Sequence, residues 1–184
     1  TEWNELTIKQ RCQQIKKFQK AILKNKDHIQ QILINETGKK EFDVFIELFT
    51  TLEHLKGIAK IAKKSLQKSV RNTGLLKNKK AYVQYEPLGI AGIISPWNFP
   101  LVTPLTASID ALLAGNNVIL KPSEHTPLTS MFMKEIWDLS VGYNDAWNII
   151  YGAAQAGETI VNSKFIDIIS FTGSTKVGKA IAKK

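Results

Sequence analysis

The sequence predicts an α/β protein, with N-terminal helices followed by a doubly wound parallel sheet. Two observations carry the prediction. The hydrophobic period changes near residue 75, from helical spacing to short apolar runs. Four such runs, at 89–95, Asn117–Lys121, 147–151 and 165–171, are each followed by a helical segment. Short continuous apolar runs read as strands buried on both faces, and repeated βα units wind right-handed.

The elements follow in order. Ile15, Phe18 and Ile22 recur at i, i+3 and i+7 and define a first helix. Asp27 offers a cap for a second, which carries Ile29, Ile32 and Leu33 and stops at Gly38. Phe42, Phe45, Ile46, Phe49 and Leu52 form the apolar stripe of a longer helix, with lysines opposite. Arg71-Asn72-Thr73-Gly74 reads as a loop. Residues 81–86 alternate like an exposed strand that Pro87 ends, leaving an edge open to a partner. Within the βα part, Leu105, Ile109, Leu112 and Leu113 share a helix face that Gly115 closes. Thr126-Pro127 supplies a cap and a first-turn proline to the next helix, lined by Leu128, Phe132 and Ile136. A short helix covers Ala154–Asn162, and a last one starts at Gly173-Ser174-Thr175 and runs to Lys184. A chain ending inside a helix reads as the N-terminal portion of a longer protein. The expected organisation is a helical segment over 1–75, an arm over 76–88 and the βα units over 89–184.

Composition excludes several function classes. With 184 residues, 43% hydrophobic and 22% charged, the chain is neither a disordered tail nor a membrane protein. No apolar run approaches the roughly 20 residues of a membrane span. Residues 1–10 hold Glu2, Glu5 and Lys9 and no apolar stretch, so no signal peptide is read there. The single cysteine, Cys12, rules out an internal disulfide framework and suits a reducing cytoplasm. His28, His54 and His125 lie on separate segments, which predicts no metal site. The net charge of +9 comes from scattered lysines with only Arg11 and Arg71 beside them. That pattern reads as solvated helix faces rather than a nucleic-acid stripe.

In a doubly wound sheet, ligands bind beyond the carboxyl ends of the strands. After the first strand stands Ser95-Pro96-Trp97-Asn98-Phe99-Pro100, where two prolines stiffen the loop around Trp97 and Asn98. Lys121-Pro122-Ser123-Glu124 follows the second strand, a glycine loop at 152–157 the third, and Thr172-Gly173-Ser174-Thr175 the fourth. Free amides and the dipole at the last helix start suit a phosphate. A lysine with a carboxylate suits ribose hydroxyls. Together these loops describe a dinucleotide cleft, although the Gly-x-Gly-x-x-Gly fingerprint is absent. Plainer readings compete: Asn98 as a turn residue, Lys121 and Glu124 as a solvated pair, Trp97 as a core ring, and Gly152 and Gly157 as a strand stop and a helix contact. A rival class also has a motif. Gly173 to Lys179 fits the Gly-x-x-x-x-Gly-Lys phosphate loop, but Ala180 stands where a magnesium-binding hydroxyl belongs.

Pro96-Trp97-Asn98-Phe99-Pro100-Leu101, Leu120-Lys121-Pro122-Ser123-Glu124 with Thr126-Pro127, and Phe171-Thr172-Gly173-Ser174-Thr175 with Gly178 occur in this order and spacing. In these motifs the chain resembles the N-terminal half of the NAD(P)-dependent aldehyde dehydrogenase superfamily, most tightly from Glu86 to Lys179. The resemblance implies a Rossmann-like fold and a homo-oligomeric oxidoreductase that converts an aldehyde to a carboxylate with a cysteine nucleophile and a glutamate base. It implies that Asn98 is the oxyanion-hole amide, and that Ile94, Ser95, Pro96 and Trp97 line the cofactor groove. It places Lys121 and Glu124 on the adenosine ribose with Ser123 between them. Gly173 and Ser174 fall on the pyrophosphate, Val177 on the adenine side, and Gly152 on the cofactor. Glu124 points to NAD over NADP, because a carboxylate repels a 2′-phosphate. The family's nucleophile and glutamate fall beyond Lys184, and Cys12, in a lysine- and glutamine-rich helix, reads as a structural thiol. The isolated chain is therefore expected not to oxidise aldehydes. Its partner would be a second copy through the 81–86 strand, or a separate C-terminal half. The alternative is a non-catalytic fragment that binds cofactor or a partner.

Overall fold

A computed structural model describes residues 2–184. The chain opens with a short helix α1 (Glu2–Glu5) that buries Trp3, then α2 (Ile8–Lys24), α3 (Lys26–Thr37) and α4 (Glu41–Ser65). Thr7 and Gln10 close α2 with a reciprocal capping box. Gly38, at φ 66°, ends α3 in the left-handed conformation that glycine adopts without a Cβ penalty. A two-stranded antiparallel ribbon follows, β1 (Ser69–Arg71) against β2 (Ala81–Val83).

The main sheet holds β3 (Ile90–Ile94), β4 (Asn117–Lys121), β5 (Trp147–Ile149) and β6 (Ile168–Phe171), all parallel, in the order β5-β4-β3-β6. The chain steps outward from β3 through β4 to β5, then returns to the other side of β3. Helices α5 (Val102–Leu113) and α6 (Pro127–Ser140) connect the outward steps, with α7 (Ala154–Asn162) before β6 and α8 (Thr175–Ile181) after it. The N-terminal helices stack on this unit, α2 and α4 against α5, and α2 and α3 against α6. Ile160 of α7 packs on the middle of the sheet, where a Cβ at Gly92 would meet its side chain at 2.6 Å.

An aromatic cluster joins the helical layer to the sheet. The Trp137 ring lies 5.6 Å from Trp3, 5.2 Å from Phe18 and 5.5 Å from Trp147, in tilted and edge-on geometries. Its indole N–H donates to the Tyr143 carbonyl (3.1 Å), and that of Trp3 to the Leu112 carbonyl (2.9 Å).

Several sequence expectations are corrected. Four of the five residues in the apolar stripe of α4 are outward: Phe42, Phe45, Ile46 and Phe49 are exposed, whereas Leu52 packs part-buried on the core and Val44, Leu48, Thr51 and Leu55 face inward with Glu47. The buried face was disguised by the carboxylate and hydroxyl it carries. Residues 69–71, given no strand from sequence, pair with β2, which ends at Val83 rather than Glu86. Asp27 lies in the first turn of α3 and Asn25 is its cap. In α6 Leu128 is exposed, and the Thr126 hydroxyl is buried without a hydrogen-bond partner among the described residues. The donors at that helix start go to Glu36 of α3, whose carboxylate accepts from the amides of Leu128 (2.5 Å) and Thr129 (2.9 Å). Finally, α8 ends at Ile181, short of Lys184.

Candidate functional site

Strand register builds the site. Ile94, the last residue of β3, pairs with Lys121 at the end of β4 and with Phe171 at the end of β6. Three loops therefore leave the sheet at one level, across two strand spacings of about 4.8 Å each. The ladder continues one step beyond, with Ser95 N–H donating to the Lys121 carbonyl (3.2 Å) and Thr172 N–H to the Ile94 carbonyl (3.0 Å). Because β4 and β6 flank β3 on opposite sides, this rim is where the strand order reverses, the position at which open α/β sheets leave a crevice.

A cleft of about 900 Å³ opens there. Eleven of the twelve residues singled out from sequence line it: Ile94, Ser95, Pro96, Trp97, Asn98, Lys121, Ser123, Glu124, Gly173, Ser174 and Val177. Gly152 does not. It adopts φ 142° beside Ala156, whose methyl a Cβ would meet at 2.9 Å, so its glycine serves the turn into α7, and Gly157 lines the cleft instead. His125, Thr172 and Lys176 also line it; Thr172 stands inside a quoted motif and the other two directly follow one, but the sequence assigns none of them a role.

The polar groups of the cleft are unevenly satisfied. Lys121 is buried, and its ammonium meets the Glu124 carboxylate at 3.1 Å. An ammonium has three N–H donors, so two remain for a ligand. The Ser95 hydroxyl is buried with no partner among the described residues. Ser174 is engaged: its hydroxyl accepts from the Val177 amide (3.3 Å) and caps α8. Asn98 is exposed on the bend before α5, and no described residue hydrogen-bonds its carboxamide. Trp97 is 56% exposed, so the core-ring reading of this indole fails. The glycine at 173 is required by packing, since a Cβ there would sit 2.5 Å from the Phe171 ring.

A hydrogen bond from its own backbone amide, and then the Lys121 ammonium, hold the Glu124 carboxyl below its ordinary range. A lowered carboxyl pKa means the ion pair is fully formed at neutral pH and is lost as pH falls through the folded value. Ligand affinity that depends on Glu124 should therefore stay flat from pH 8 to 6 and fall only below the ordinary carboxyl value of about 4.3. Calorimetric titration across that range checks it; a step between pH 6 and 7 would contradict the assignment. Cys12 lies elsewhere, in α2 against α4, its thiol donating to the Ala59 carbonyl (3.3 Å). Burial pushes that thiol's pKa up, against weaker opposing effects of Lys63 and Arg11, which keeps it protonated.

A switch-point cleft on a parallel sheet defines the doubly wound α/β class, whose members bind ligands at the strand rim. Residues 1–184 match the model of the aldehyde dehydrogenase family. The D-glyceraldehyde dehydrogenase (NADP(+)) of Picrophilus torridus is 34% identical over 185 residues, covering 99% of this chain and 37% of the relative. The mitochondrial succinate-semialdehyde dehydrogenase of Homo sapiens is 29% identical, covering 97% of this chain and 34% of that protein. Among solved structures, an NAD+ complex of an aldehyde dehydrogenase from Bacillus cereus superposes with a TM-score of 0.91 at 31% identity, over 98% of this chain and 37% of that one. This chain belongs to the aldehyde dehydrogenase family. It spans little more than a third of the length of these relatives.

Proposed function

We propose that the chain is the cofactor-binding and oxyanion-supporting part of an enzyme that oxidises an aldehyde to a carboxylate, with NAD+ as acceptor. The observation that carries the reading is the shared level of Ile94, Lys121 and Phe171, which brings residues from distant segments onto one cleft. The residues present fit the cofactor: about 900 Å³ lies within the range of ligand pockets, the buried Lys121 ammonium keeps two N–H donors beyond its bond to Glu124, and the buried Ser95 hydroxyl has no partner among the described residues.

In this reading Lys121 donates to ribose hydroxyls and Glu124 accepts from them. Gly173 and Ser174 present the turn that meets the pyrophosphate, and Val177 gives apolar cover on the adenine side. Ile94, Ser95, Pro96 and Trp97 wall the groove. The bound dinucleotide supplies a hydride acceptor. Asn98 donates its side-chain N–H to the aldehyde oxygen as that oxygen becomes negative, a charge-assisted bond that strengthens toward the transition state. The nucleophilic thiolate comes from outside these residues, because Cys12 is buried away from the cleft with a raised pKa. The chain by itself therefore binds cofactor without turnover. The ribbon of β1 and β2 pairs one copy with another in the assembled enzyme. A single buried thiol suits a reducing compartment such as the cytoplasm.

Cofactor titration tests the reading. NAD+ should bind this chain about tenfold more tightly than NADP+, roughly 1.4 kcal/mol, because Glu124 opposes a 2′-phosphate. Glu124→Gln should narrow the gap by weakening NAD+ and relieving NADP+. Tighter binding of NADP+ by the unaltered chain would remove Glu124 from the ribose.

A further inference from the structure

Glu47 is the least expected buried group in the molecule. It sits on α4 with its side chain at 0% exposure, and its carboxylate meets the Lys39 ammonium at 2.6 Å. Its other oxygen, Oε1, accepts from the amides of Leu101 (2.9 Å) and Val102 (3.3 Å). Those amides are the cap and first residue of α5, three and four residues after Asn98.

The donors at that helix start show what Glu47 does. Leu101 stands at the cap position, and its apolar side chain accepts nothing. Thr103 N–H reaches the Phe99 carbonyl at 3.3 Å, and Pro104 has no N–H. The amides of Leu101 and Val102 are left, and Glu47 takes both. Lys39 adds a second hold, its ammonium 4.0 Å from the centroid of the Phe99 ring. On the other flank, Ser95 is tied to the sheet through the Lys121 carbonyl. The bend carrying Asn98 thus runs between two anchors, one from the sheet and one from α4. Between them Pro96 and Pro100 offer no amide to hold, and no described residue bonds Asn98 itself.

We propose that Glu47, supported by Lys39, is a positioning residue for Asn98: its carboxylate fixes the start of α5 and thereby the aim of the Asn98 carboxamide into the cleft. The proposal rests on the reading of Asn98 as the oxyanion donor. Buried ion pairs are commonly replaceable by apolar side chains of similar size without loss of stability. Packing alone therefore does not require this one, and its distinctive service is the acceptor it presents to α5.

Two double variants isolate that acceptor. Lys39→Met/Glu47→Gln keeps an oxygen facing α5, whereas Lys39→Met/Glu47→Leu removes it; neither buries an unpaired charge, and thermal melts verify that both fold. In this chain, amide hydrogen exchange at Leu101 and Val102 and the Asn98 side-chain NMR signals are read. In the intact enzyme carrying the chain, kcat and the cofactor KM are read. The Gln variant should stay within about threefold of the unaltered protein in both exchange and kcat, since the Lys39 hold is lost equally from both variants. The Leu variant should exchange both amides at least about tenfold faster and shift the Asn98 signals. It should also lose about tenfold in kcat, with the cofactor KM within about twofold, the mark of misaimed rather than missing groups.

Unchanged exchange and Asn98 signals in the Leu variant would overturn the proposal. So would unchanged kcat in that variant when Asn98→Ala lowers it. A loosened turn with kcat unaffected in both the Leu variant and Asn98→Ala would leave the anchoring intact and overturn the oxyanion reading instead.

Discussion

Replacing Asn98 with alanine is expected to lower kcat of the intact enzyme about 10²- to 10³-fold, with NAD+ affinity within about twofold. The carboxamide stands exposed on a bend of the cleft and is unclaimed by any described residue, so its removal orphans no buried partner. Its loss should be felt where negative charge grows on the substrate oxygen, which lowers kcat and kcat/KM together. Asn98→Asp should be at least as damaging, since it places a carboxylate where a donor is needed. Steady-state kinetics on both variants decides it. A raised aldehyde KM at unchanged kcat would make Asn98 a uniform binding contact, no stronger in the transition state than in the ground state.

Trp137→Ala should cost about 3–5 kcal/mol of folding stability, a large part of the 5–15 kcal/mol typical of a domain. The indole is fully buried, packs on Trp3, Phe18 and Trp147, and donates to the Tyr143 carbonyl. Removal leaves a ring-sized cavity between α1, α2, α6 and β5, where the N-terminal layer meets the sheet. Urea unfolding followed by circular dichroism measures the loss. A cost below about 1 kcal/mol would mean that the helical layer is joined to the sheet elsewhere. The joint matters to the site because Glu36 and Glu47, both on that layer, cap α6 and α5.

What was legible in the sequence follows the range of the interactions involved. Strand β4 has the expected bounds, because Asn117–Lys121 lies between Gly115 and Pro122, two local stops. The apolar run at 165–171 is longer than the strand it contains; Phe165 is exposed and β6 begins at Ile168. Gly38 and the helix over Ala154–Asn162 were readable for the same local reason. The loops of the cleft were legible because a parallel sheet delivers its strand ends to one rim whatever separates them in sequence.

Long-range choices were hidden. Helix α4 has apolar residues on two faces, and nothing local tells that the face with Glu47 is the buried one. Glu47 finds its backbone partners 54 and 55 residues away, and Glu36 finds its own 92 and 93 away. Cross-element caps of this kind leave no periodic trace. The aromatic cluster was likewise invisible, since Trp3, Trp137 and Trp147 come from three separate elements. At Gly152 the glycine itself was informative, but it marked a close approach to Ala156 and not a wall of the cleft.

The most direct measurement is an NMR titration of this chain with NAD+, following backbone amides. The convergence of loops at the rim predicts saturable shifts clustered at Ser95 to Asn98, Lys121 to Glu124 and Gly173 to Val177, with β1 and β2 unmoved. Shifts gathered away from the ends of β3, β4 and β6, or magnesium-dependent ATP binding tighter than NAD+, would contradict it.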